Sequence, residues 1–166
     1  MEALNSVLVL DDFSIRSSYI EHSTVNEDRS LREIQNEYPI NIDFDVYHNS
    51  EYTSHLITIS LVQNLEKKPG YVIDIEATAI FSFSKELETD EKKEFILNSG
   101  VSICITNLRS YIANVTSYHF YGKYDFPAID VSDLLRKKIA SFDEERTGTK
   151  KTKKIRQDKS RKKASE

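Results

Sequence analysis

The chain has 166 residues, enough for one domain that buries roughly 68% of its unfolded surface and therefore needs no metal or disulfide to fold. Its single cysteine, Cys104, excludes an intramolecular disulfide and is typical of a reducing compartment. The net charge of −4 hides two opposite parts: residues 146–166 hold ten Lys and Arg against Asp158 and Glu166, a net of +8, which leaves −12 on the remainder. This shift predicts an acidic domain over 1–145 and a basic, disordered tail over 146–166.

Four segments alternate apolar and polar residues, the pattern of strands that are covered on one face and wet on the other. The last three are joined by the short, turn-rich connections NSEYTS and EKKPG, which predict an antiparallel meander. The residues expected on the covered face are, strand by strand, Phe13, Ile15, Ser17 and Tyr19; Ile40, Ile42, Phe44 and Val46; Ile57, Ile59 and Leu61; and Tyr71, Ile73, Ile75, Ala77, Ala79, Phe81 and Phe83.

Beyond Ser84 the apolar residues recur at helical spacing. Thr89 is expected to cap a short helix that Gly100 stops. Its apolar residues are Phe95, Ile96 and Leu97.

A second helix is expected from Val101 to about His119, and Asp130 is expected to cap a third over the segment VSDLLRKKIASF. The buried stripe of the second helix is expected to contain Val101, Ile105, Leu108, Ile112 and Val115, with Cys104, Tyr111 and Tyr118 on one flank. Strands followed by helices predict an α+β domain, a four-stranded antiparallel sheet with the C-terminal helices packed on one face.

The titratable residues form no pattern that indicates catalysis. His48 and His55 flank a predicted hairpin turn and could meet across it, but two imidazoles supply only half of a metal site. Cys104 is predicted to be a small buried core residue. The outward carboxylates Asp43, Asp45, Asp74 and Glu76 have no apolar residues among them and are predicted to be solvated. The sequence therefore predicts a protein that is not an enzyme, with no catalytic residues, metal, cofactor or small-molecule substrate. The alternative is a small α+β enzyme that binds its substrate in a pocket lined by the sheet, although no acid, base or nucleophile pattern supports it.

The first residues, MEALNSVLVLDDF, carry a short apolar patch without a basic flank or a cleavage site. This patch is too short for a signal peptide or a membrane span. We therefore expect a cytoplasmic protein.

Four large aromatic residues, Phe120, Tyr121, Tyr124 and Phe126, follow the second predicted helix within seven positions. Two interpretations are open: these rings seal the end of the core, or they offer a surface to another molecule. Phe126 and Ile129 are predicted to belong to the core, and Tyr121 and Tyr124 to the surface.

The segment LRSYIANVTS, the aromatic connection and then DFPAIDVSDLL together resemble the C-terminal half of the SecB family of export chaperones. In this comparison Arg109 corresponds to the helix arginine and Gly122 to the loop glycine. Pro127, Ile129 and Val131 correspond to the motif that precedes the final helix. The resemblance covers about residues 8–142, because the four strands and the short helix also agree in order.

The resemblance implies an α+β subunit that assembles as a homotetramer, a dimer of dimers. It also implies a chaperone that binds unfolded polypeptides, such as preproteins for export, in apolar surface grooves without ATP or metal. The residues predicted to bind these clients are Ile40, Ile42, Phe44, Val46, Phe120, Tyr121, Tyr124, Phe126, Leu134 and Leu135.

The lysine-rich tail departs from the polar tail with which these export chaperones engage the protein-translocation motor, so a role with that motor stays open. Some relatives serve instead as dedicated chaperones of antitoxins. A third hypothesis is a nucleic-acid-binding or adaptor module, in which the basic tail contacts RNA, the ribosome or a membrane surface.

Overall fold

The computed structural model describes residues 5–23 and 30–141 and confirms the predicted fold class. Four strands form one antiparallel sheet in the order β1-β4-β3-β2. The strands are β1 (Leu8–Ser23), β2 (Ile40–His48), β3 (His55–Gln63) and β4 (Gly70–Phe83). The last three form the predicted meander, and the first strand pairs with the fourth.

One face of the sheet is buried, as the alternation predicts. Its buried apolar residues are Phe44, Ile57, Ile59, Leu61, Tyr71, Ile73, Ile75, Ala77, Ala79 and Phe81. The opposite face carries the exposed carboxylates Asp43, Asp45, Asp74 and Glu76. Strands β2 and β4 thus expose carboxylates on this face, whereas the alternate residues of β3, which lies between them, are half-buried.

Strand β1 departs from simple alternation because it contains β-bulges, one of them at Arg16. Before this bulge Ile15 pairs with the buried Ala77, whereas after it Tyr19 pairs with the exposed Asp74. The extra residue moves all later side chains to the other face. The prediction that Tyr19 lies on the covered face together with Ile15 is therefore wrong.

A continuous helical segment follows the sheet. It consists of α2 (Thr89–Phe95), a π-helical turn (Ile96–Gly100) and α3 (Val101–Thr116). Gly100 has helical dihedral angles, φ −61° and ψ −49°, so the prediction that it stops a helix is wrong. A Cβ atom at this position would lie 3.0 Å from Cδ1 of Ile57 on the sheet, so glycine permits the close packing of helix on strand.

The helix boundaries differ from the predicted ones by one to three residues. Glu88, not Thr89, is the capping residue, and its backbone N–H donates to the carboxylate three residues later. Helix α3 ends at Thr116 instead of His119, so Tyr118 lies beyond the buried stripe. The buried residues of this helical segment include Ile96, Val101, Cys104, Ile105, Leu108 and Ile112, whereas Phe95 and Leu97 are exposed.

The short helix α1 (Leu31–Gln35), between β1 and β2, is absent from the sequence prediction. It is a single turn, too short for helical periodicity to be detected. The cap is visible in the structure, where Ser30 N–H donates to the Glu33 carboxylate at 3.0 Å.

The chain divides into two compact units, residues 1–131 and 132–166. Within the second unit, the described residues 132–141 are helical and continue from residue 131; this helix, α4, corresponds to the predicted third helix. The predicted basic tail, 146–166, lies outside the described residues. No helix in the described part of the chain is both long and apolar enough to cross a membrane.

Candidate functional site

The second half of the aromatic connection is anchored in the core. Tyr124 and Phe126 are each only 2% exposed. Arg109 on α3 donates from Nε to the Phe126 carbonyl at 3.1 Å, and Thr116 at the end of α3 accepts the Tyr124 N–H at 2.9 Å. Phe126 is a core residue, as predicted, while the prediction that Tyr124 lies on the surface is wrong.

Tyr124 is held deep in the fold by a buried polar network that sequence reasoning missed. Its hydroxyl donates to Gln63 on β3 at 3.2 Å. The Gln63 amide donates in turn to the Gln35 carbonyl of α1 at 3.1 Å. Gln35 pairs with the backbone of Tyr71, accepting at 2.8 Å and donating at 2.9 Å. In the sequence, a buried polar network is indicated by a glutamine at the inward position that follows Ile57, Ile59 and Leu61.

The connection reverses at Gly122, which has a φ of +80° that favours glycine. The Tyr71 hydroxyl donates to the Gly122 carbonyl at 2.6 Å and fixes this point to β4. Beyond the anchor, towards α3, the chain leaves the core. We call residues 118–122 the aromatic turn.

The rings of the aromatic turn point into solvent. Phe120 is 94% exposed, Tyr118 is 90% exposed and Tyr121 is 41% exposed. The Phe120 and Tyr121 rings meet edge to face, with centroids 5.2 Å apart. Most large aromatic side chains are at least partly buried, so two rings that are nine-tenths exposed indicate a surface available to another molecule.

His22 at the end of β1 packs against the aromatic turn. Its ring stacks on Tyr121, with centroids 3.4 Å apart and an interplanar angle of 14°. The edge of Tyr71 meets the same imidazole at 5.1 Å. Burial lowers the pKa of His22, and the nearby charge of His119 lowers it further.

The predicted client-binding residues of β2 lie at the other edge of the sheet. Ile40, Ile42 and Val46 are half-buried, and Phe44 is buried. Since β1 and β2 are the two edges of a four-stranded sheet, these residues lie roughly 14 Å from the strand that supports the aromatic turn. The structure therefore places the predicted residues in two separate patches.

Leu134 and Leu135 lie on α4 in the second unit. Their predicted role in client binding stays a prediction.

In the described part of the chain, neither the histidine pair nor the cysteine has an arrangement that suits metal binding or nucleophilic catalysis. His48 and His55 do pair across the hairpin, with ring centroids 6.4 Å apart, but no group of three side chains suited to a metal occurs among the described residues. Cys104 is fully buried, which raises the pKa of its thiol to about 12 and makes it a poor nucleophile.

The carboxylates of the outer sheet face border an open depression of about 340 Å³, which Arg16, Asp43, Asp45 and Glu76 help to line. Three carboxylates and one guanidinium line this depression, so its charge is net negative.

No protein-family model matches the sequence. No curated protein matches it either. Among solved structures, the Rv1957 SecB-like chaperone of Mycobacterium tuberculosis, in complex with a ChAD peptide from the Rv1956 HigA1 antitoxin, is 14% identical in sequence. The match covers 74% of this chain and 91% of that one, with a TM-score of 0.50. A protein of unknown function from Streptococcus agalactiae is 10% identical over 73% of this chain and 97% of that one, with a TM-score of 0.49. The chain therefore has the fold of a SecB-like chaperone.

Proposed function

We propose that this protein is an ATP-independent chaperone that binds unfolded polypeptides through the aromatic turn. It acts in the cytoplasm, performs no catalysis and needs no cofactor, metal or small-molecule substrate. The observation that carries this proposal is the exposure of Phe120 and Tyr118 on a fold shared with a SecB-like chaperone. The similarity of fold supports the proposal by analogy.

The chemistry of the aromatic turn suits unfolded chains. Unfolded segments present scattered apolar side chains together with unpaired backbone donors and acceptors. Phenylalanine offers apolar area, and tyrosine adds a polar tip that hydrogen-bonds without a fixed partner. The Gly122 anchor holds these rings out of the core, so a client meets them without prior unfolding of the chaperone.

The predicted client-binding residues differ in burial, which suggests two roles. Phe120 contacts clients directly, Tyr121 beside it is only partly available, and Ile40, Ile42 and Val46 form a second, half-buried patch. Phe44, Tyr124 and Phe126 are buried and act as supports beneath these surfaces.

We also propose that the subunit assembles as a homotetramer through the solvent side of α3. This side carries uncharged residues spaced by four positions: Ser102, Thr106, Ser110 and Asn114. The three hydroxyl groups each donate to a backbone carbonyl four residues earlier, at 2.7 to 3.0 Å. Since these donors are already satisfied, the face can pack against another copy without leaving them unpaired.

Two client classes remain candidates, preproteins for export and an antitoxin. Rv1957 was solved with an antitoxin peptide, which favours the second class for this chain by analogy. If the clients are preproteins, the translocation motor is the expected partner.

Aggregation of a chemically denatured client after dilution tests the proposed function. Light scattering should fall in the presence of the full chain, without ATP, and the mass of the free protein should be that of a tetramer. Unchanged client aggregation would contradict the chaperone function. A monomeric mass would contradict only the assembly, and Thr106→Arg, which adds a charge to the proposed interface, should lower the mass if the tetramer forms.

A further inference from the structure

The stacked rings of His22 and Tyr121 belong to a small cluster of rings beside the aromatic turn. Tyr121 covers one face of the imidazole at 3.4 Å, Tyr71 meets it edge-on at 5.1 Å, and His119 meets Tyr71 at 5.7 Å. Tyr121 is the least exposed of the three aromatic side chains in the turn because this stack holds it.

Among the described residues, the imidazole of His22 forms no hydrogen bond of ordinary geometry, although contact with its own backbone raises its pKa against the larger effects of burial and His119. Both ring nitrogens are buried, and neither has a partner among the described residues. A neutral imidazole tolerates this arrangement at a modest cost. A protonated one carries a full charge and two N–H donors, both of which require an acceptor or water.

Among the residues that the structure describes, the titratable groups around His22 do not neutralise an imidazolium. Tyr71 on β4 commits its hydroxyl to the Gly122 carbonyl, and Tyr121 presents its ring face. His119 lies on the aromatic turn and adds positive charge when protonated, which lowers the pKa of His22 beyond the larger effect of burial. On β1 itself, Glu21 is exposed and pairs with Lys67 at 3.3 Å.

The backbone next to Tyr121 provides a pivot. Gly122 has a φ of +80°, and apart from the glycine and its two chain neighbours no atom of the described residues lies within 4 Å of the position that a Cβ would occupy. Its carbonyl is bonded to Tyr71, so the chain beyond Gly122 stays anchored while Tyr121 can swing outward.

We propose that His22 and Tyr121 form a proton-released clasp: when His22 gains a proton, Tyr121 leaves the stack, turns about Gly122 and joins the rings that bind clients. The part of this inference that concerns clients rests on the proposed chaperone function. The clasp regulates that function by adding a third ring to the surface of the aromatic turn.

The direction of the effect follows from linkage. The closed form, in which the pKa of His22 is lowered, holds a neutral imidazole. This form is therefore favoured at pH values above the ordinary pKa of 6.5. As the pH falls through that value, the open form binds more protons than the closed form, and the clasp opens. Client affinity therefore rises on acidification.

The test uses the full chain and a tetramethylrhodamine-labelled peptide of Leu, Phe, Gly and Ser with blocked ends, so that neither the dye nor the peptide titrates between the two pH values. Peptide affinity is measured by anisotropy at pH 7.5 and 5.5. In parallel, ¹⁹F NMR of the chain labelled with 3-fluorotyrosine follows Tyr121, whose signal is assigned by its loss in Tyr121→Phe. With the ordinary pKa of 6.5 in the open form, protonation can shift the equilibrium between the open and closed forms by at most about tenfold between pH 7.5 and 5.5, so we expect affinity to rise roughly threefold to tenfold. The Tyr121 signal should shift with the midpoint of His22 titration.

The matched variants are His22→Phe, which keeps an aromatic ring without a titratable group, and His48→Gln, which removes a histidine on the distant hairpin. His22→Phe should abolish the pH effect, and His48→Gln should retain it. A pH effect that survives in His22→Phe, or a Tyr121 signal that does not move with His22, would overturn the clasp. Absence of peptide binding at both pH values, with the Tyr121 shift intact, would support the clasp and overturn the proposed chaperone function.

Discussion

The two halves of the connection between α3 and α4 have similar compositions but very different environments. Tyr118, Phe120 and Tyr121 extend towards solvent, whereas Tyr124 and Phe126 are buried within the same domain. The difference arises at Gly122, where the Tyr71 hydroxyl fixes the backbone. The number of rings alone therefore does not separate the core from the exposed surface; the hydrogen bonds of the backbone around the rings do.

The largest expected effect tests the buried half. Tyr124→Ala removes a ring that is 2% exposed and a hydroxyl bonded to Gln63, so unfolding free energy should fall by about 3–5 kcal/mol. Tyr124→Phe, the matched control, should lose about 1 kcal/mol. Denaturant unfolding measures both, and equal small losses would show that Tyr124 is not part of the core.

A smaller effect is expected for the polar network beneath it. Gln63→Met keeps most of the volume but leaves the Gln35 and Tyr38 carbonyls without their amide donor, at a cost of about 1–3 kcal/mol. Combined with Tyr124→Phe, the loss should be less than the sum of the two single losses, because the variants share one hydrogen bond. Strict additivity in a double-mutant cycle would contradict the network.

A substitution in the aromatic turn should have the opposite result, with a small effect on stability and a large effect on client binding. Phe120→Ser should change unfolding free energy by less than about 0.5 kcal/mol, because the ring contacts little in the folded subunit. Client affinity should nevertheless fall about tenfold, which corresponds to about 1.4 kcal/mol. Ile80→Ser, on the outer sheet face, is the matched control and should leave client affinity unchanged.

The smallest expected effect concerns the tail. Removal of residues 146–166 deletes a charge of +8 but none of the aromatic turn, so suppression of client aggregation should persist. Salt-sensitive RNA binding that disappears with the tail, together with no chaperone activity in the full chain, would instead favour the nucleic-acid-binding hypothesis.

Much of the sheet could be predicted because its signal is local. Alternation along β2, β3 and β4 assigns side chains to a face without knowledge of distant residues, and Ile57, Ile59 and Leu61 are buried as expected. In β1 the same rule placed Tyr19 incorrectly, because the bulge at Arg16 depends on pairing with β4.

The site was harder to predict because its contacts are distant in sequence. Tyr124 is buried through Gln63, 61 residues earlier, and Tyr121 is held by His22 on the first strand. A glycine at position 100 predicts a helix stop because helix-ending glycines are common, whereas Gly100 permits close packing of the helix on Ile57. The division of the aromatic run into exposed and buried halves depends on tertiary hydrogen bonds, which local sequence patterns do not reveal.

Site-specific photocrosslinking gives the most direct test of the central claim that the aromatic turn is the client surface. Phe120→p-benzoylphenylalanine places a photoreactive ring on the exposed turn, and Ile80→p-benzoylphenylalanine places the same group on the outer sheet face as a control. With a labelled unfolded client, we expect crosslinks from position 120 that far exceed those from position 80. Equal yields at the two positions, or no crosslink at position 120, would contradict the claim.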